Sequence, residues 1–585
     1  MSIVQTRLQR TRADDNVFSS ASVKRKETRY PMTSLRDTYA TKALSQIPRL
    51  LGNLDRNRFS PTYGCFHRDY WLDKTSDFPD AVRQFGMHAL ALVYRYDFPD
   101  NIYKGHKKIL EWTIAALNYW AGIQHKDGSF DEFYPYERGW VGPSAFTAYT
   151  AIETYSLLKD EIDPAIAGRV LIAIQKSASF IGRGEAEEDH LANHHAMACL
   201  ALWKAYRLLD DQQIKVDYEN AWKTFLTYHN VDEGWSREYD GVDPGYLSAT
   251  ISFLGKIYQN DPNPELLQVL KQSVDFSLWF VYPNGFYGGS MGSRNTLHFY
   301  PHGYEIMAGE IPAAGAAAEK MLKGLADEAL VPPEIISDRY VFYRVPEFLM
   351  AWLDYGERSD EKFELPYQCP RTNRFFPQSK IFAAVNGRNY LIANLAKGGV
   401  VKCFDKEKEK LLVNDCGVIG QLEDGAVITS QWISDSYRYE TCDNGFSVSG
   451  EMNVVPSNKL FTPEKNVLFR SGLVVLGRVP TFSHMLKGQI RKHLILQQRK
   501  VPIRFRRTVT FLDDELIIED ELEKTGDVQV KSLWFGDEFF VRYVPQSRYF
   551  QRQELDVEGQ LLTEEEMRAF NDTRKHRRID RMRLK

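Results

Sequence analysis

The hydrophobic period of this chain changes once, and that change limits what it can fold into. From about residue 36 to 362, apolar residues fall at i, i+3, i+4 and i+7, as in AVRQFGMHALALVYRY (81–96), NHHAMACLALWKAYRLL (193–209) and GYLSATISFLGKIYQ (245–259). That spacing lays one apolar stripe along a helix. From about 375 the runs become β-rich, as in KIFAAVNGRNYLIANLA (380–396) and NVLFRSGLVVLGRV (466–479). FRRTVTFLDDELIIEDELE (505–523) reads as a hairpin turning at Asp513 and Asp514. Strands that follow helices instead of alternating with them predict an α+β multidomain chain with a C-terminal antiparallel β-sandwich.

The helical part carries a loose repeat. A glycine followed by an aromatic residue recurs before helices at Gly64-Cys-Phe66, Gly128-Ser-Phe130, Gly234-Trp235 and Gly285-Phe286. The spacings are about one helical hairpin or a multiple of it, which predicts an N-terminal α/α toroid whose inner helices start at loops lining one mouth. The expected organisation is a polar basic arm over 1–35, the toroid over 36–362, the sandwich over 375–552 and a charged tail over 553–585. That tail holds seven Lys or Arg and one Asp from Thr573 to Lys585, which suits a solvated helix or a polyanion contact.

Composition removes several classes. Apolar residues at 43% and charged residues at 26% of 585 mark a folded globular chain. A net charge of −4 gives no protein-wide footprint for nucleic acid. No apolar run approaches the roughly 18–20 residues of a membrane span, so no transmembrane segment is expected. Six cysteines without a CxxC pair argue against zinc ribbons and a disulfide framework. The N-terminus has no apolar h-region, so a cytoplasmic location is expected, with export by another route left open. GxSxG, GxGxxG and P-loop motifs are lacking. The 13% aromatic content suits sugar binding, because an aromatic face can cover the C–H face of a pyranose.

The densest polar cluster is Asn193-His194-His195, at the start of a strongly apolar helix. Asn193 reads either as a helix cap or as a site residue. Downstream, GWSREYDGVDPGY delivers Tyr246 to the start of the next inner helix, where a nearby cation would lower its pKa and make it an acid or base. The loop GFYGGSMGSRNTLHFYPHGYE (285–305) carries Arg294, His298 and His302 among glycines that permit close backbone approach to a ligand. Two further loops offer Arg68 and Trp71, and Tyr136, Arg138 and Trp140. Arginines there can grip a carboxylate or sulfate by a two-point fork.

In these motifs the chain resembles the heparinase II/III-like and alginate-lyase group of polysaccharide lyases. Asn193-His194, Tyr246 and His298 match that group's motif in order and approximate spacing, and FRRTVTFLDDELIIEDEL looks like strands that close its C-terminal domain. The resemblance implies a toroid with a β-sandwich, and cleavage of an acidic, uronic-acid-containing polysaccharide or oligosaccharide by β-elimination, with no cofactor and no metal. It implies Asn193, His194, Tyr246 and His298 as catalytic residues. Asn193 and His194 would neutralise the C6 carboxylate, with Arg294 as helper, and Tyr246 or His298 would move the C5 proton. Arg68, Trp71, Tyr136, Arg138, Trp140, His195, Arg294 and His302 would bind substrate. Two other enzymes suit the same toroid. One is an inverting glycoside hydrolase using carboxylates among Asp127, Asp131, Glu132, Asp240 and Asp243; the other is a uronic-acid C5 epimerase. A non-catalytic glycan-binding protein of exopolysaccharide assembly is a third alternative.

Overall fold

The computed structural model describes residues 34–133, 135, 136, 141–183, 191–358, 363–455, 462–479, 482, 485, 499–536, 549, 550, 555 and 558–584. The basic arm expected over 1–35 lies almost wholly outside the described residues.

The helices run α1 (Asp37–Leu44), α2 (Ile47–Asn53), α3 (Arg68–Trp71), α4 (Gly86–Arg95), α5 (Lys107–Gly122), α6 (Val141–Leu158), α7 (Pro164–Gly182) and α8 (Ala192–Leu209). They continue as α9 (Gln212–Leu226), α10 (Pro244–Tyr258), α11 (Pro264–Ser277), α12 (Pro301–Met307), α13 (Pro312–Ala326) and α14 (Asp338–Leu353). The contacts α4–α6, α6–α8, α8–α10, α10–α12 and α12–α14 form an arc, and α14 against α4 closes it into an inner ring. Outside it, α5, α7, α9, α11 and α13 each pack on the inner helix before them in the chain, and α1 packs on α14. This is the expected α/α toroid.

The sequence sorts the two layers. Inner α6 is buried at every position from Val141 to Ile152, and α10 from Leu247 to Tyr258, and apart from Lys256 these stretches are apolar, aromatic or small all round. Outer α9 buries only Ile214 and Phe225. The 19-residue α7 is apolar enough to span a membrane by length and composition, yet it packs within the ring against α5, α6, α8 and α9. Small residues let the ring close: a Cβ on Gly303 would sit 2.5 Å from the Ile251 carbonyl of α10. The glycine–aromatic repeat is also structural. Gly64 and Gly128 both hold φ +95°, where a side chain is strained, with their backbones against Ala115 and Lys176 of the following outer helix. Gly234 and Gly285 repeat the arrangement against α11 and α13.

After a small hairpin at the toroid mouth, β1 (Arg237–Glu238) and β2 (Gly241–Val242), the remaining strands are antiparallel. The first five, β3 (Arg371–Phe376), β4 (Ile381–Asn386), β5 (Asn389–Asn394), β6 (Val400–Asp405) and β7 (Lys410–Asp415), form a meander. The others are β8 (Val418–Leu422), β9 (Val427–Thr429), β10 (Arg438–Cys442), β11 (Gly445–Val454), β12 (Lys500–Phe511), β13 (Glu515–Lys524), β14 (Val530–Phe535), β15 (Gln560–Leu561) and β16 (Lys575–Arg583). They make a nine-stranded sheet in the order β15-β14-β8-β9-β11-β12-β13-β16, with β10 beside β11. The predicted hairpin is β12–β13, with Phe511 opposite Leu516.

The meander is the middle layer. Phe382, Leu391 and Val401 pack on the nine-stranded sheet, while Ile381, Tyr390 and Phe404 pack into the core shared with the toroid. Hence β4, β5 and β6 are buried at every position.

Two strand-level expectations change. The stretch 466–479 is not a strand: α15 (Pro463–Leu476) covers most of it, with the Thr462 hydroxyl accepting from Lys465 N and Pro463 in the first turn. The basic C-terminal run is not a free tail. A short helix, α16 (Glu564–Thr573), starts on a Thr563–Glu566 capping box and leads into β16, an edge strand paired with β13. The alternation of KHRRIDRMR supplies the reason: Lys575, Arg577, Arg581 and Arg583 face solvent, while Arg578 turns in to Asp415 and Asp520.

There the two sheets share an ion network. Arg507 on β12 is fully buried and donates to Asp520 at 2.7 and 2.8 Å and to Asp415 at 2.8 Å. Burial alone would raise the Asp415 pKa, but Arg507 and Arg578 hold it below the usual carboxylate range. Replacing Arg507 with Ala leaves two buried carboxylates without their main cation. The expected cost is about 3–5 kcal/mol, read from urea unfolding. Because the folded-state pKa is depressed, the stabilisation is present above the unfolded value of about 3.9 and lost as pH falls through the folded one. The gap between variant and wild type should therefore shrink in acid.

Candidate active site at the toroid mouth

Inner helices α8, α10 and α14 start at one end of the ring, and the β1–β2 hairpin and the glycine-rich loop 285–300 fill the gaps between them. Asp243 organises this end. It is fully buried, and its side chain accepts from Tyr246 N at 3.1 Å, capping α10, and from Arg294 N at 3.0 Å in the glycine-rich loop. Burial raises its pKa, and the backbone donors pull the other way.

Asn193 opens α8. It does not cap the helix through its own side chain; it is held by Glu238 of β1. Its backbone N–H donates to Glu238 Oε1 at 2.6 Å, and its amide Nδ2 donates to Oε2 at 2.9 Å. Glu238 is 1% exposed, and burial pushes its carboxyl up to about 8, against the two Asn193 bonds.

The doubled histidine is resolved by direction. His194 lies against Gly142 and edge-on to Phe146 of α6, at 5.5 Å between ring centres. His195 instead stacks on Tyr228 beyond α9, at 4.7 Å, which places it on the outer-helix side and not with the Asn193 cluster.

Tyr246 sits on the first turn of α10, close enough to Tyr340, Tyr239, Asp243 and Arg294 to feel each of them. Burial raises its pKa well above 10, the two tyrosines and Asp243 add to that, and Arg294 opposes it. A cation is therefore beside the hydroxyl, as expected, but desolvation outweighs it and the tyrosine keeps its proton. Arg294 lies over the Tyr239 ring at 4.1 Å, and Tyr239 holds φ +57° at the turn of the hairpin.

His298 is 1% exposed, and neither ring nitrogen has a hydrogen-bond partner among the described residues. Burial, with the Arg344 charge behind it, holds the imidazole neutral, well below 6.5. It stacks on Tyr340 at 5.6 Å. Tyr340 stacks on Tyr343 at 6.1 Å, Tyr343 meets Phe146 at 5.4 Å, and Phe146 meets His194. A continuous run of rings thus joins His298 to His194.

The other expected residues are not in this cluster. Arg68 pairs with Asp73 at 3.5 Å and donates to the Gly52 carbonyl at 3.4 Å, and Trp71 donates to the Asn53 carbonyl at 2.8 Å, so both fasten α3 to the end of α2. Tyr136 stacks on His125 at 6.0 Å, beneath Arg478. His302 bonds Asp354 at 2.7 Å, and its backbone N–H reaches Glu347, which also holds Lys256. Lys256 is ten residues along α10 from Tyr246, roughly 15 Å at 1.5 Å per residue, so His302 belongs to the far end of the ring. Arg138 and Trp140 lie outside the described residues. The hydrolase carboxylates are mostly committed elsewhere: Asp127 to Ser129, Asp131 to His125, Glu132 to Arg339 and Asp243 to backbone N–H groups. Among the described residues, no three His, Cys, Asp or Glu side chains converge as a metal site requires.

Sequence reasoning missed Glu238, Tyr239, Tyr340, Tyr343 and Lys397. The i, i+3 tyrosines opening α14 were a readable signal, since that spacing puts both rings on one helix face. Lys397 comes from the turn between β5 and β6 and donates to Ser290 O at 2.8 Å, Gly292 O at 3.0 Å and Asn295 Oδ1. Burial pulls its ammonium down to about 7, with Asp243 opposing.

Residues 101–328, from just before α5 to just past α13, match the family model described as the ulvan lyase N-terminal domain. The match bears out the resemblance to polysaccharide lyases: this part of the toroid is polysaccharide-lyase-like. No curated protein matches the chain. Among solved structures, the Paenibacillus xanthan lyase aligns at a TM-score of 0.49 and 10% identity over 85% of this chain and 46% of its own. This chain thus spans about half the length of that enzyme. A Streptomyces coelicolor chondroitin AC lyase aligns at 0.48 and 10% over 87% and 69%. The heparan sulfate lyase HepC of Pedobacter heparinus aligns at 0.38 and 12% over 87% and 71%.

The geometry makes Asp243 a sensitive point. Asp243→Ala removes the cap of α10, worth about 1 kcal/mol, and strands the buried N–H of Arg294 at about 1–3 kcal/mol. A thermal-unfolding shift of that combined size is expected, together with loss of protection of the Arg294 and Tyr246 amides in hydrogen exchange.

Proposed function

We propose that this protein is a polysaccharide lyase that cleaves a uronic-acid-containing polysaccharide by β-elimination. The observation that carries the reading is the convergence of Asn193, His194, Tyr246 and Arg294 on one mouth of the ring. The family matched by the toroid makes ulvan the first polymer to test.

The C5 proton of a uronate is weakly acidic, so removing it requires neutralising the C6 carboxylate and stabilising the dianion that develops there. In this reading Asn193 donates to that carboxylate and Arg294, stacked on Tyr239, supplies the positive charge. Tyr246 enters the reaction protonated and serves as the acid to the leaving O4. The base is a neutral histidine. His194 is assigned that role because it neighbours Asn193 and is only half-buried, whereas His298 is sealed behind Tyr340. The commitment of Asp127, Asp131, Glu132 and Asp243 to protein contacts counts against an inverting hydrolase, which needs two carboxylates free for a sugar and a water.

The test is incubation with ulvan and a panel of other uronic-acid polysaccharides, following ultraviolet absorbance of unsaturated uronide ends and product mass. Tyr246→Phe keeps the ring and deletes the hydroxyl, and turnover should fall about 10²–10⁴-fold. His194→Ala should fall by a similar factor, and His298→Ala by much less. Products carrying an added water, with no new absorbance, would replace the lyase with a hydrolase; an isomerised but intact polymer would replace it with an epimerase.

A further inference from the structure

The grip of Glu238 on Asn193 has a consequence for donor chemistry. An ionised carboxylate only accepts hydrogen bonds. In the structure Asn193 Nδ2 donates to Oε2 at 2.9 Å, the one orientation open to an ionised Glu238, and it leaves the Oδ1 acceptor on the opposite edge. An amide oxygen backed by a buried negative charge is the wrong face to offer a uronate. If Glu238 carries a proton, its O–H can donate to Oδ1. A half-turn about the terminal torsion of Asn193, which is broad and roughly two-fold, then swings Nδ2 and both its hydrogens to the opposite edge. The backbone bond from Asn193 N to Oε1 at 2.6 Å survives either state.

We infer that Glu238 is a positioning residue that acts as the neutral acid, its proton selecting the amide orientation in which Asn193 presents both N–H donors to the carboxylate of an acidic sugar. The inference rests on the lyase reading for the identity of that sugar. The surroundings of Glu238 favour the neutral form. Asn193 and His194 face it from α8, and both pull its pKa down; Asp243, at the start of α10, pushes it up. Ser293 of the glycine-rich loop donates to its carbonyl oxygen at 2.8 Å and not to its carboxyl. Burial dominates and raises the group to about 8. A bound uronate adds another negative charge nearby and raises it further. The site is therefore competent below about 8 and loses its donors as Glu238 ionises above it.

Three proteins test this: wild type, Glu238→Gln and Glu238→Ala. Gln keeps the shape and carries a permanent Nε2 donor for Asn193 Oδ1 and an Oε1 acceptor for its backbone N–H. Wild-type kcat/KM for ulvan, which reports the free enzyme, should fall as pH rises through about 8. Glu238→Ala should lose about 10²–10³-fold in kcat with a smaller change in KM, as for loss of an oxyanion-type donor. Glu238→Gln should rescue most of that loss and lack this alkaline fall. A Gln variant as inactive as the Ala variant, or sharing the wild-type alkaline fall, overturns the inference. Calorimetric binding of ulvan oligosaccharides gives the same comparison without turnover: wild-type affinity should drop through that pH and the Gln variant's should not. If this binding pattern holds but nothing is cleaved, the lyase reading fails and the role of Glu238 stands. If wild-type cleavage or binding is flat across that range, the role of Glu238 fails, with no variant needed.

Discussion

One buried carboxylate holds the working end of the ring together. Asp243 spends one oxygen on the start of α10 and the other on the glycine-rich loop, so Tyr246 and Arg294 are fixed relative to each other by a single side chain. The contact is close: a Cβ on Gly292 would sit 2.6 Å from the Asp243 carboxylate. The same loop carries Ser293, which bonds the Glu238 backbone, so the hairpin that presents Glu238 to Asn193 hangs on it too. Burying an acid held by backbone N–H groups is costly. The cost is met by backbone donors and by the Lys397 ammonium, whose field reaches Asp243 from the sheet side.

That dependence gives the strands a part in the site. The meander is buried on both faces because it lies between the toroid and the outer sheet. Its β5–β6 turn drives Lys397 into the base of the glycine-rich loop, and Asn394 at the end of β5 donates to the Met291 carbonyl at 2.7 Å. Phe286, Tyr287, Met291 and Phe299 of the loop pack into the core. Between these anchors its glycine backbone is fixed by the Asp243 carboxylate and by Lys397 and Asn394 of the meander.

What was legible in the sequence follows from this. Period and punctuation are local, so the toroid, the β12–β13 hairpin, the Asp-Pro-Gly start of α10 and the glycine–aromatic loops could all be read. Tyr246 could be placed at the mouth because it follows such a loop, and Asn193 and His194 because they open a strongly apolar helix. Long-range pairing could not be read. Glu238 lies inside the quoted motif, but only the fold shows that it faces Asn193 across 45 residues. Lys397 reaches Asn295 across 102. His302 read as a site residue because it shares the glycine-rich loop, yet it begins α12, which starts lower in the ring beside Glu347. The 466–479 segment misled for a local reason: its Leu and Val residues suit a strand, but Thr462 and Pro463 supply a helix start.

Burial acts on the titratable groups of the mouth in one direction, toward the uncharged form. It raises Glu238, Asp243 and Tyr246 and lowers His298 and Lys397. An environment that disfavours charge on acids and bases alike lets neutral donors face an anionic ligand. Arg294 is different. Its guanidinium lies over the face of Tyr239 at 4.1 Å. Under the proposed reaction, a cation resting on a ring, beside neutral donors, would complement a carboxylate that arrives charged and gains more charge during proton loss. The same desolvation that prevents Tyr246 from ionising in the free protein makes it a stronger donor in a dry site, since an ordinary hydrogen bond gains strength as the local dielectric falls. In the proposed reaction, proton transfer would thus be governed less by any one perturbed side chain than by how completely the sugar replaces water at the mouth.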